Sequence, residues 1–303
     1  MIKATIIIPT RNRANYLSSS ILSLTKQTYP ASHFEIIIVD NGSTDNTKEI
    51  SKKLISKYTD NRINYIYEPE PGLLSGRHRG AFEAKGDILI FIDDDIIAYN
   101  YWLSSIMEVF KNENIHLVGG PSFPKYEINP PEWINRYVKY SKSTFICGAL
   151  SLQYRGDKTI EIDPRHVWGL NFSIRKKTLF DLGGFHPDCI PKHLQCFQGD
   201  GETGLSDKVK SKGLKSIYSP NAALFHFIPK KRLTVSYFKD RFYYQGVCDS
   251  FTQVRNNINI SKYLQLDYQE IPVKSTYDQY KNIIFRAIHK SYINGFFFSS
   301  RSS

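Results

Sequence analysis

Cysteine is scarce in this sequence: four among 303 residues (Cys147, Cys189, Cys196 and Cys248), with no Cys-x-x-Cys pair. That spacing argues against a zinc knuckle or a dense disulfide framework and favours a reducing compartment. No apolar run approaches the ~20 residues of a membrane-spanning helix. The opening MIKATIIIPTRNR has too short an apolar run for a signal peptide and is broken by Pro9, so a cytosolic protein is expected. The phosphate loop Gly-x-x-x-x-Gly-Lys and the nucleophile elbow Gly-x-Ser-x-Gly are both absent. No helix-turn-helix, zinc-finger or RNA-recognition pattern occurs, which leaves nucleic-acid binding without support despite a net charge of +11. Internal repeats and long low-complexity segments are lacking too.

Acid is what the C-terminal part lacks. From Pro229 onward there are twelve Lys/Arg against five Asp/Glu, in a stretch also rich in aromatics. Such a tail suits an anionic membrane surface or an acidic substrate, and simple solvation is the bland alternative.

What is present begins with short β-branched runs that do not alternate. ATIIIP (4–9) and FEIIIVD (34–40) suit strands covered on both faces, as in a parallel sheet. Between them NYLSSSILSLTKQ (15–27) carries apolar residues at helical spacing, which completes a βαβ unit. NGSTDNTKEISKKLISKY then reads as turn and amphipathic helix, RINYIYEP as a third strand, LLSGRHRGAFEAKG as a helix ending at glycine, and DILIFI as a fourth strand. The first 100 or so residues therefore predict a doubly wound α/β half, whose ligands bind beyond the carboxyl ends of the strands. Farther on, HVWGLNFSIRKKTLFDLGGF predicts a strand and a helix with a glycine stop, and KSIYSPNAALFHF one or two short strands. The region after Pro229 reads as mainly helical.

Asp40 ends the second strand, and Asp93, Asp94 and Asp95 follow the fourth, at the same rim. Three adjacent carboxylates repel one another and need a cation among them. Clustered carboxylates bind hard divalent ions, Mg²⁺ or Mn²⁺, with water and a phosphorylated ligand completing the shell. Capping of a helix over 101–111 is the alternative, although one aspartate would suffice for it.

TIIIPTRNR, EIIIVDNGSTDNT and GRHRGAFEAKGDILIFIDDD, in this order and at these distances, resemble the nucleotide-binding half of family 2 glycosyltransferases of the GT-A fold. GLNFSIRKKTLFDLGGF, GDGETGLSDKVKSKG and IYSPNAALFH resemble the acceptor half, so the likeness covers about residues 4–228. It implies an α/β GT-A fold, a single Rossmann-like mixed sheet flanked by helices. The implied division is a transferase domain over 1–228 (nucleotide half about 1–115, acceptor half about 116–228) and a C-terminal, mainly helical extension over 229–303. It also implies transfer of a sugar, UDP-linked by expectation, from a nucleotide to an acceptor hydroxyl with inversion. A saccharide or lipid-linked saccharide is the expected acceptor, in bacterial surface polysaccharide or glycan assembly. Peripheral contact of the basic, aromatic end INGFFFSSRSS with an anionic membrane would fit such an acceptor.

By the same resemblance Asp93 meets the nucleotide ribose and Asp95 holds Mn²⁺ or Mg²⁺ on the diphosphate, with Asp94 able to share the ion. Asp40 matches the base-contacting aspartate, or is a turn former ahead of Asn41-Gly42. Pro9, Thr10 and Arg11 match the first nucleotide-lining loop, and Arg77 a basic residue beside it. His226, after SPNAALF, matches a second protein ligand of the metal; a lone histidine near an apolar run is otherwise a core residue.

The family's usual base is the Asp of a Glu-Asp pair ahead of a helix. Here Glu202 takes that place and Gly201 the place of the Glu, a departure that makes Glu202 the expected base and Asp200 the runner-up. Trp168, Gly184 and Phe185 either border the sugar and acceptor pocket or belong to the core. Lys230, Lys231 and Arg232 could approach the diphosphate or a membrane, or be solvated. GDGETG (199–204) formally spells Gly-x-Gly-x-x-Gly, but IPKHLQCFQ before it is a poor strand, which argues against a dinucleotide site. A metal-dependent nucleotidyltransferase and a catalytically inactive nucleotide-sugar-binding module remain the rival functions.

Overall fold

A computed structural model describes residues 1–256 together with 290, 291 and 293–295. Most of INGFFFSSRSS thus lies outside the described residues. The isoleucine-rich runs form β1 (Ala4–Thr10), β2 (Phe34–Asp40), β3 (Ile63–Tyr67) and β4 (Ile88–Ile92). Every residue of β1, β2 and β4 is buried, which is why these runs show no alternation. Helices α1 (Ala14–Thr25), α2 (Thr47–Lys57) and α3 (Leu73–Glu83) make the crossovers.

After β4 the chain enters β5 (Ile96–Ala98), α4 (Trp102–Val109), β6 (Ile115–Gly119) and β7 (Ser122–Tyr126). Short strands follow: β8 (Lys139–Ser141), β9 (Thr144–Cys147), β10 (Leu152–Tyr154) and β11 (Ile160–Glu161). β12 (Asn171–Arg175), α5 (Lys176–Asp181), α6 (Gly201–Ser211), β13 (Lys215–Tyr218), β14 (Leu224–Ile228) and α7 (Val235–Arg255) complete the described order.

Among the described residues the main sheet is mixed and eight-stranded, in the order β11-β13-β6-β12-β4-β1-β2-β3. β1, β2, β3 and β4 run parallel, and β12 joins β4 antiparallel. In the register of β1 and β2, Thr10 faces Asp40, so the ends of both strands and of β4 lie on one rim. A second sheet, in the order β5-β14-β7-β10-β9-β8, was not foreseen from the sequence. Most of its strands are three to five residues long, too short for a periodic signal. KSIYSPNAALFHF thus yields two strands, β13 and β14, that belong to different sheets.

A 3-10 helix (Lys192–Phe197), not a strand, leads into GDGETG, so that motif is no βα turn. The described part of the C-terminal region packs on the body: Phe238 of α7 meets Trp133 edge-on at 4.9 Å within a third core cluster. Among the described residues no helix is long and apolar enough to cross a membrane.

Candidate active site

The aspartate trio leaves the end of β4 and runs directly into β5. One of its counter-charges is Arg13, at the start of α1. The Arg13 Nε–H donates to Asp94 Oδ1 at 2.6 Å, and its Nη2 also bonds Asp95 Oδ2. Thr10 Oγ1 donates to Asp94 Oδ2 at 2.6 Å. Both oxygens of buried Asp94 are thus held by protein. Burial pushes its carboxyl up to about 6, against the pull of Arg13. Asp93 is half-buried; burial and the adjacent Asp95 charge raise its carboxyl, while Arg77 opposes them.

His226 arrives from the second sheet. β5 and β14 pair antiparallel with Ile96 opposite His226, and Phe227 N–H donates to the Asp95 carbonyl at 2.9 Å. Burial alternates along β14, placing His226 inward with Leu224 and Ile228. Its Nδ1 lies 3.0 Å from the Leu150 carbonyl and its Nε2 2.7 Å from Arg232 Nη1. A guanidinium can only donate, so Nε2 carries the lone pair and Nδ1–H bonds the carbonyl.

Asp95 Oδ1 is buried without a hydrogen-bond partner among the described residues, 3.5 Å from that Nε2. Two acceptors facing each other at this distance call for a cation. Neighbouring ligand atoms of an octahedral ion with ~2.1 Å bonds stand ~3 Å apart. Ligand atoms of Asp93, Asp95 and His226 all lie within 4.8 Å of one another, so the donor set fits one hard divalent ion.

A cavity of about 300 Å³ opens in front of the trio. Pro9, Thr10 and Arg11 line it with Arg13, Asn41, Asp93, Asp94 and Arg232. Asp40 and Arg77 lie elsewhere. Asp40 is buried at the end of β2, where Oδ1 accepts from Ser43 N–H at 2.8 Å and Oδ2 from Tyr65 O–H at 2.7 Å. Arg77 is buried, its guanidinium 5.0 Å above the Phe185 ring and 3.0 Å from Glu202 Oε2.

Glu202 sits in the first turn of α6 and borders a second, polar cleft of about 320 Å³ with Trp168, Arg165 and Thr203. Its Oε1 accepts Gly169 N–H at 3.1 Å. A Cβ on Gly169 would lie 2.0 Å from Arg77 Nη2, so a larger residue there would have to push the guanidinium aside. Burial raises the Glu202 carboxyl, but Arg77 and the Gly169 amide more than offset it and hold it below the ordinary value.

Asp200 is a different kind of residue. It is buried at the N-terminus of α6, with His186 Nδ1 at 2.5 Å on Oδ1, and Thr252 O–H at 2.7 Å and Arg255 at 2.8 Å on Oδ2. Oδ2 ties the start of α6 to α7, and Oδ1 ties it to His186 in the segment between α5 and α6. Trp168 faces the polar cleft, whereas Phe185 is 3 % exposed among Phe91 and Phe172 and lines neither of these two cavities. Gly184 has φ +72°, and a Cβ there would meet His78 Nε2 at 2.3 Å. Sequence reading passed over Arg13, the second arginine of RNR, and left Arg232 unranked. Their partners lie in other elements, and the only local hint was the unbalanced charge of the trio.

The family model that matches the chain is Glycosyl transferase family 2, over residues 5–181. The glycosyltransferase AglE of Haloferax volcanii is 35 % identical over 190 residues, covering 62 % of this chain and 56 % of its own. The chain therefore spans little more than half of that relative's length. Among solved structures, the mannosyltransferase PcManGT of Pyrobaculum calidifontis, in complex with GDP-Man and Mn²⁺, superposes with a TM-score of 0.60 at 16 % identity, over 99 % of this chain and 73 % of its own. S. aureus TarS 1–349 in complex with UDP gives 0.52 at 14 % identity, over 100 % of this chain and 92 % of its own. The shared architecture is the GT-A fold.

Proposed function

The chain belongs to glycosyl transferase family 2, and from that premise we propose that it moves a sugar from a nucleotide donor, preferably UDP-linked, to an acceptor hydroxyl with inversion. The observation that carries this is the unpartnered Asp95 Oδ1 facing the lone pair of His226 beside Asp93. These three residues would hold Mn²⁺ or Mg²⁺, which as a Lewis acid stabilises charge developing on a leaving diphosphate. Arg11 and Arg13, lining the same cavity, add fixed positive charge to it. Asp94 keeps Arg13 in place through two elements at once. The donor base would lie against the loop of Pro9, Thr10 and Asn41, with Asp40 fixing that rim from beneath.

Glu202 is the base we assign: it lines the polar cleft with 27 % of its side chain exposed, whereas the Asp200 side chain is 1 % exposed. Arg77 keeps Glu202 ionised at neutral pH and lessens its basicity. Trp168 offers a ring face to an acceptor sugar, and we assign a saccharide or lipid-linked saccharide to this cleft. The basic C-terminal region suits cytoplasmic, peripheral contact with an anionic membrane, for which vesicle flotation is the assay.

A thermal-shift and calorimetric screen of nucleoside diphosphates and nucleotide sugars, each with and without Mn²⁺, tests the reading. Binding of at least one nucleotide sugar that strengthens with Mn²⁺ is expected; no binding at any ion level would end the proposal. One observation favours a second reading. The Arg77–Glu202 ion pair weakens the base, as in a module that binds a nucleotide sugar without turnover. Slow donor hydrolysis with Mn²⁺ would argue against that alternative.

A further inference from the structure

Arg13 and Arg232 both reach the aspartate trio, but they use different atoms. Arg13 engages Asp94 and Asp95 Oδ2 and leaves Asp95 Oδ1 and His226 Nε2 alone. Arg232 places Nη2 at 3.2 Å from Asp95 Oδ2 and Nη1 at 2.7 Å from His226 Nε2. An imidazole nitrogen has one lone pair in the ring plane. It can accept the Arg232 N–H or ligate an ion, not both.

The backbone beneath Arg232 is fixed. It lies in the 3-10 turn Lys230–Leu233, where Arg232 N–H bonds the Pro229 carbonyl at 2.8 Å, Lys230 N–H bonds Glu127 Oε2 at 2.7 Å, and Leu233 is buried in the third core cluster. The long side chain, by contrast, also lines the cavity in front of the trio. A change of side-chain rotamer therefore suffices to take the guanidinium from His226 into that cavity.

On the reading that Asp93, Asp95 and His226 form the ion site, we propose that Arg232 is an exchange cation. It occupies the His226 lone pair until a divalent ion displaces it, and the displaced guanidinium then binds the diphosphate in the adjacent cavity. Ion and nucleotide binding are thereby coupled through one residue. The ion alone binds at the expense of the Arg232 contact, and a diphosphate recovers that loss by taking the arginine as its own partner.

The test is Mn²⁺ titration, by electron paramagnetic resonance and calorimetry, of the wild-type chain, Arg232→Gln, Arg232→Lys and His226→Ala, first alone and then with saturating UDP or GDP. With the ion alone, Arg232→Gln and Arg232→Lys should both bind Mn²⁺ roughly tenfold more tightly than wild type, the scale of one charge-assisted hydrogen bond. The nucleoside diphosphate should enhance Mn²⁺ affinity less in Arg232→Gln than in wild type. If Arg232→Lys matches wild type while Arg232→Gln tightens, Arg232 acts by charge alone and the exchange is wrong. If neither variant tightens while His226→Ala loses Mn²⁺, the ion site stands and the exchange falls. Absence of Mn²⁺ binding in every form would remove both.

Discussion

Single residues divide here by which of their atoms remain available. Asp94 has none, because Thr10 and Arg13 take both oxygens; Asp95 keeps Oδ1, and that atom is what an ion would use. Asp95→Ala should therefore abolish Mn²⁺-dependent donor binding and transfer together, as calorimetry and product assay would register. Arg13→Met leaves buried Asp94 and Asp95 short of a counter-charge and should cost about 3 kcal/mol in urea unfolding. Glu202→Gln should spare donor binding and remove turnover; normal turnover would move the base elsewhere. Because Arg77 holds the Glu202 carboxyl below its ordinary 4.5, the acid limb of the pH–rate profile attributable to Glu202 should fall below that value. Arg77→Met removes the largest effect opposing burial, leaves only the Gly169 amide and Arg241 against it, and should shift that limb upward.

Elements explain why those residues meet. Parallel β1, β2 and β4 were legible because fully buried strands need no alternation, and the motif positions follow at their ends. The junction of β5 with β14 was not legible, since pairing between residues 96 and 226 is decided by packing of the intervening chain. LFHFI, with apolar residues on both sides of the histidine, does not show which face turns inward; the family resemblance alone pointed to His226. Arg13 was missed for the same reason, its partners lying 81 and 82 residues away.

At the α6–α7 contact, His186, Thr252 and Arg255 converge on Asp200. Burial would raise this carboxyl, but those three partners hold it below the ordinary 3.8. Its contribution to stability is therefore present at neutral pH and lost as pH falls through its depressed folded value. Asp200→Asn should destabilise by about 3 kcal/mol near pH 7, and the gap to wild type should narrow below pH 3.8 in denaturant titrations.

For the whole molecule, the expectation of an extension beginning at residue 229 meets a shared core. Trp133, Ile134, Leu152 and Phe238 belong to one cluster, and Arg255 closes the Asp200 network from α7. We expect truncation before Val235 to expose that cluster and abolish a cooperative thermal transition, rather than release an intact transferase domain; near-ultraviolet circular dichroism would register the loss.

Hydrophobic runs and the order of motifs, both local properties, were enough to determine the α/β class, the rim where strand ends gather and the acidic cluster placed there. Tertiary structure alone decided which arginines neutralise the cluster and that a second sheet carries His226 to it; His226 and Glu202 had been named from the motifs, and the fold placed one beside the trio and the other on a polar cleft. The reason is one of range. Burial periodicity is written into neighbouring residues, whereas Coulomb and hydrogen-bond partners are chosen across space, once sheets that the local pattern cannot pair have been assembled.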